Sequence, residues 1–96
     1  MRSPKVLITG ANRGLGLGLV HAYLEDGWDV IAVCRNPAEE LERVASPHLS
    51  VQLCDLTDDG DLARLAATLG EEPLDVLINN AGRMARSGFV ASEDSQ

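Results

Sequence analysis

KVLITGANRGLG, Lys5 to Gly16, is the stretch that decides the fold. Lys5–Thr9 is a short apolar run with the look of a buried strand. Gly10–Arg13 is turn-forming. From Gly14 to Asp26, Leu15, Leu19, Val20 and Leu24 recur at helical spacing, and Gly27 supplies a stop. A strand, a glycine-rich turn and a helix in that order leave free backbone N–H groups and the positive end of the helix dipole at the turn. That is a seat for an anion. Gly10 allows the tight turn, Gly14 lets a ligand approach the backbone, and Gly16 permits close helix-to-strand packing. The spacing is G-x-x-x-G-x-G rather than G-x-G-x-x-G. Read alone, the stretch also fits a turn that is merely rich in glycine.

The same alternation continues outward. Asp29–Cys34 and Leu49–Leu53 read as strands, and Leu74–Asn79 (LDVLIN) as a fourth. Pro37–Ala45 reads as a short helix with Pro in its first turn. Asp58–Leu69 reads as a third helix, with Leu62, Leu65, Ala66 and Leu69 on one face and Gly70 after it. Apolar strands separated by helices predict a parallel sheet covered on both faces, joined by right-handed crossovers. The expected class is α/β: a Rossmann-like, doubly wound sheet of about four strands in the order 3-2-1-4, with three helices. Residues 1–82 form the nucleotide-binding unit in this reading, and 83–96 a loop or tail. The fourth strand is left as an exposed edge, open to self-association.

Composition narrows the partners. The 96 residues carry a net charge of −7, with no basic run, so nucleic acid and anionic membrane surfaces are excluded as expected partners. No apolar stretch reaches the roughly 18 residues of a membrane span. Met1–Lys5 leads straight into the first strand, which reads as no signal peptide. Two cysteines, Cys34 and Cys54, fit free thiols in a reducing, cytoplasmic compartment. They end neighbouring strands and are expected close together in structural roles. His21 and His48 lack partners at ligand spacing, so no metal site is expected. Trp28 is assigned to the core beside the second strand, and Tyr23 to the surface or to packing. Aromatic residues are only 3% of the chain, so Leu, Val, Ile and Ala must build the core.

Three motifs in order carry a resemblance: Thr9-Gly10-x-x-x-Gly14-x-Gly16, Asp55-Leu56, and Asn79-Asn80-Ala81-Gly82. Together they resemble the short-chain dehydrogenase/reductase family, nearest in look to its carbonyl-reductase-like and C-factor-like members. The resemblance runs from Lys5 to Gly82. It implies a dinucleotide held by Gly10, Asn12, Arg13, Gly14, Leu15 and Gly16. It also implies that Asp55 accepts from the adenine amino group while Leu56 packs on the ring, and that Asn80, Ala81 and Gly82 line the ribose beside the nicotinamide. Each has an alternative role. Asp55 can cap the following helix, although Thr57 is the better cap. Asn79 and Asn80 can brace the strand and its turn.

Charge bears on the choice of cofactor. NAD sites usually place an acid at the end of the second strand. Here that position is Cys34, followed by Arg35, and no acid occurs until Glu39. Arg35, with Arg13 in the turn, can clamp a 2′-phosphate through charge-assisted hydrogen bonds. The alternative is two solvated arginines. Within the resemblance, basic residues at both places go with NADP(H). S-adenosylmethionine or a flavin is disfavoured by the same pair.

The family's proton donor is a Tyr with a Lys four residues later, aided by a Ser and an Asn. This chain has one Tyr and one Lys, and Lys5 precedes Tyr23. No catalytic residue is therefore assigned. The expected identity is the NADP(H)-binding N-terminal portion of an oxidoreductase. Its complete enzyme would move hydride between cofactor and a carbonyl or alcohol. The alternative is a stand-alone, non-catalytic module that binds a dinucleotide or a protein partner.

Overall fold

A computed structural model describes residues 3–12, 14–36, 39–71 and 73–80. The elements run β1 (Lys5–Thr9), α1 (Gly14–Glu25), β2 (Asp29–Cys34), α2 (Glu39–Glu42), β3 (Leu49–Leu53), α3 (Asp59–Leu69) and β4 (Val76–Asn79). The four strands form one parallel sheet in the order β3-β2-β1-β4, as the sequence predicts. The chain outside these residues, including the predicted 83–96 tail, lies beyond the description.

Strand alternation sorts the core into two layers. Val6, Ile8, Val30, Ala32 and Cys34 face α1 and α2, joined by Val20 and Leu41. Leu7, Ile31 and Val33 face α3, joined by Leu56, Leu62 and Leu65. Each fully buried Leu, Ile or Val stabilises the fold by roughly 1.5–3 kcal/mol relative to exposure. β1 and β2 are buried on both faces, which explains their unbroken apolar sequence.

β3 departs from that expectation. Its sequence alternates, LSVQL, and Val51 and Leu53 are 39% and 58% exposed. The strand order puts it at the sheet margin. Among the described residues the helix before it runs Glu39–Glu42 and ends three residues short of the expected Ala45; Pro37 and Ala38 lie outside them. Leu41 is that helix's one buried side chain, and beyond Glu42 the chain closes with a tight Val44-to-Leu41 turn. One apolar anchor cannot hold a longer helix against the sheet.

α1 stops by a Schellman motif. Gly27 has φ 85°, its N–H reaches the Leu24 carbonyl at 3.1 Å, and the Trp28 N–H reaches that of Tyr23 at 3.0 Å. The hydrophobic contact that accompanies this motif is the Tyr23–Trp28 ring pair, edge to face with centroids 4.9 Å apart. Both rings pack against the core layer under α1.

α3 begins differently from the expected pattern. Asp58, not Thr57, is the N-cap: it is extended, and its Oδ1 accepts from Gly60 N at 2.8 Å and Asp61 N at 3.3 Å. The helix therefore starts at Asp59. β4 starts at Val76 rather than Leu74, although the ladder reaches one residue further through Asp75 N to Lys5 O at 2.9 Å.

Candidate functional site

The carboxyl ends of β1, β2 and β3, with the start of α1, enclose an open cleft of about 760 Å³. This is the crevice where open α/β sheets bind ligands, and its size suits a small molecule of roughly 300–1,000 Å³. Gly10, Asn12, Gly14, Leu15, Arg35, Asp55, Leu56 and Asn80 line it. Eight of the residues chosen from sequence therefore meet in one place. Arg13, Ala81 and Gly82 lie outside the described residues.

The glycines of the turn divide the work. Gly10 and Gly14 have φ of 60° and 56°, a backbone state that side chains resist. A Cβ on Gly14 would meet nothing within 4 Å, so its surroundings are open to a ligand. Gly16 is the reverse. A Cβ there would stand 2.1 Å from the Gly10 carbonyl oxygen and 2.8 Å from Asn80 Nδ2. It lies beneath the turn and not on the cleft wall. α1 carries no acid in its first turn, so no carboxylate competes with an anion for its free N–H groups.

The two asparagines after β4 brace this turn. Asn80 Nδ2 donates to Gly10 O at 3.2 Å, and the buried Thr9 hydroxyl donates to Asn79 Oδ1 at 2.9 Å. Asn80 also borders the cleft, so bracing and lining coexist in it. Ala11 N donates to Val33 O at 3.2 Å and ties the turn to β2.

The opposite wall is the loop after β3. Asp55 Oδ1 accepts from Thr57 N at 3.0 Å and Thr57 Oγ1 at 2.7 Å. These bonds, with a smaller contribution from the Arg35 charge, hold its carboxyl below the ordinary value of 3.8. Thr57 is therefore spent on Asp55 rather than on capping α3. The exposed Arg35 borders the same cleft, where its charge acts on Asp55, and the buried Leu56 lines it as well.

Sequence reasoning missed Val33, Cys34, Asn36, Cys54 and Thr57 as lining residues. Their position at strand ends was the available signal. The two cysteines also correct an expectation. Cys54 N donates to Cys34 O at 2.9 Å, so the backbones are neighbours, but the side chains belong to opposite core layers. Alternation forbids their meeting: Cys34 is paired in register with Leu53, one residue short of Cys54. Both are free thiols, and burial, aided by nearby carboxylates, raises each above the usual 9.0. No group of three or more metal-ligating side chains occurs among the described residues.

The comparison that decides the family is a match of residues 4–96 to the short chain dehydrogenase family model. The chain belongs to the short chain dehydrogenase family. A short chain dehydrogenase of Aspergillus terreus is 30% identical over 105 residues, covering 100% of this chain and 23% of that protein. Mouse retinol dehydrogenase 5 is 36% identical over 83 residues, covering 80% of this chain and 26% of the relative. A carbonyl reductase from Pseudomonas aeruginosa PAO1, solved in complex with NADP, superposes with a TM-score of 0.77 at 40% identity. It covers 83% of this chain and 39% of that one. The chain thus spans about a quarter to two fifths of the length of these relatives.

Proposed function

We propose that the cleft holds NADP(H), and that the chain is the cofactor-binding N-terminal portion of an oxidoreductase that moves hydride between NADP(H) and a carbonyl or alcohol. In this reading the pyrophosphate sits on Gly10–Gly16 at the start of α1, the 2′-phosphate on Arg35 and Arg13, and the adenine against Asp55 and Leu56. Asn80, Ala81 and Gly82 border the nicotinamide ribose. When bound, the nicotinamide supplies the hydride; the residues here bind and orient it.

The observation that carries the choice of cofactor is Arg35 on the cleft wall, directly after β2, where an NAD site would place an acid. The NADP held by the Pseudomonas aeruginosa carbonyl reductase supports the same reading. Arg35→Ala should lower the affinity for NADPH relative to NADH by about tenfold or more, from loss of charge-assisted bonds. An unchanged ratio would remove Arg35 from the site and with it the preference for NADP(H).

The chain contains no Tyr-x-x-x-Lys pair, so by itself it should bind NADPH without oxidising it in the presence of carbonyl substrates. Steady turnover by this chain would show that a different proton donor operates. Two buried free thiols are consistent with a cytoplasmic, reducing location.

A further inference from the structure

Asp61 lies in the first turn of α3, outside the motifs and off the cleft wall. Its carboxylate is divided between two partners. Oδ2 accepts from the backbone N–H of Asp55 at 2.8 Å, and Oδ1 accepts from the Arg64 guanidinium. The Asp61 side chain is only 22% exposed, whereas Arg64 is 75% exposed. The bond to Asp55 is therefore the sheltered one, and the ion pair contributes little.

The consequence falls on Asp55. Its N–H is held by Asp61 and its C=O by the Asp58 N–H at 2.9 Å. Its Oδ1 takes both bonds from Thr57, and among the described residues Oδ2 takes none. The peptide groups on either side of Asp55 are each held by one bond, and the side chain is pinned at one oxygen. The other oxygen is left for a donor in the cleft. A carboxylate accepts only, so it rewards a ligand N–H and repels a carbonyl oxygen at the same place.

We propose that Asp61 is a positioning residue for the purine end of the cleft. By fixing the Asp55 amide it aims the Asp55 carboxylate, and so makes the cleft select an amino-purine over an oxo-purine dinucleotide. This inference rests on the reading of the cleft as an NADP(H) site. Asp61 touches no ligand in this account. An acid in the first turn of a helix could instead serve only the helix dipole, and the two roles separate by experiment.

The test titrates the wild-type chain, Asp61→Ala and Asp61→Asn with NADPH and with its hypoxanthine counterpart, which carries a carbonyl in place of the amine. Wild type should prefer NADPH by about tenfold, the worth of one hydrogen bond to a charged acceptor. Asp61→Ala should cut that preference to about threefold or less. Asp61→Asn should retain it, because its side-chain oxygen accepts the same Asp55 N–H. In the unliganded wild type the Asp55 amide should exchange slowly with solvent, and Asp61→Ser should release it; this reading stands even if Asp61→Ala does not fold. Equal exchange in both proteins overturns the proposal. So does a preference that Asp61→Ala leaves intact while lowering the melting temperature. If wild type binds both dinucleotides equally, the NADP(H) site stands, while the Asp55 contact to the adenine amine and the role of Asp61 built on it both fall. If wild type binds neither, both fall.

Discussion

Gly16 and Gly18 stand two residues apart on one helix and should respond oppositely to the same methyl group. At Gly16 the methyl would meet the Gly10 carbonyl at 2.1 Å, an overlap that backbone must relieve by moving. Gly16→Ala should destabilise the chain by about 2–3 kcal/mol in urea melts and displace the turn that faces the ligand. At Gly18 nothing lies within 4 Å and the backbone is helical, so Gly18→Ala should stabilise by about 0.5–1 kcal/mol. The sequence marks Gly16 as a point of close packing; that it packs on the Gly10 carbonyl and Asn80 is visible only in the fold. At the same scale, Cys34 and Cys54 should resist thiol reagents at neutral pH, since burial raises both above 9.0. A group whose folded value is raised keeps its contribution below the unfolded value and loses it as pH rises. Stability should therefore fall as pH climbs past about 9. Rapid labelling of the folded chain near pH 7 would contradict this. Asp55 has the opposite sign: its folded value is depressed, so its contribution is present above 3.8 and lost as pH falls below it.

Helix starts are where local chemistry competes. Thr57, Asp58 and Asp59 all have cap-forming side chains, and the sequence reading, which began the helix at Asp58, preferred Thr57 to Asp55 as its cap. The decision is made by Asp55, whose carboxylate engages both the N–H and the hydroxyl of Thr57 and leaves Asp58 to cap α3. Asp58→Ala should cost about 1 kcal/mol of stability. Thr57→Ala should cost less, and its main effect should be to raise the Asp55 carboxyl toward its ordinary value, readable by NMR titration. Equal stability losses, with Asp55 unmoved, would mean that Thr57 shares the cap. The stop of α1 was more legible, because Gly27 is the one residue there that tolerates φ 85°. The Tyr23–Trp28 contact that completes it joins residues five apart across the stop, and neither residue's composition announces it. The second helix was overextended at its C-terminal end in the sequence reading, since nothing before folding shows that Leu41 is the one buried side chain among its described residues.

For the whole molecule, the parallel sheet and its order were legible because β1 and β2 are apolar on both faces and the glycine turn fixes the first crossover. The margin was not. β3 has an uncharged edge sequence and an exposed Leu53, and among the described residues β4 pairs only with β1. Natural edges are commonly guarded by charge. Here the net charge of −7 supplies diffuse repulsion instead, and salt screens it. Association measured by light scattering should therefore rise with ionic strength, and Leu53→Lys should suppress it without lowering the melting temperature. Insensitivity to both would mean that neither edge is available. The cleft was legible for a related reason: Gly10, Arg35, Asp55 and Asn80 are far apart in sequence, and a parallel sheet must bring their strand ends to one rim. What sequence could not supply is the bracing behind that rim, since the Asn80–Gly10 and Asp61–Asp55 bonds depend on how loops close over a finished sheet.

The most direct test of the central claim is a titration of the chain with NADPH followed residue by residue through backbone amide NMR signals. The account predicts saturable shifts confined to one rim: Gly10, Asn12, Gly14, Leu15 and Gly16, then Arg35, then Asp55 to Thr57, and Asn80. NADH should shift the glycine turn but bind more weakly. Shifts that avoid the glycine turn, that gather at the opposite ends of the strands around Asp29 and His48, or that never saturate would contradict the assignment of this cleft to NADP(H).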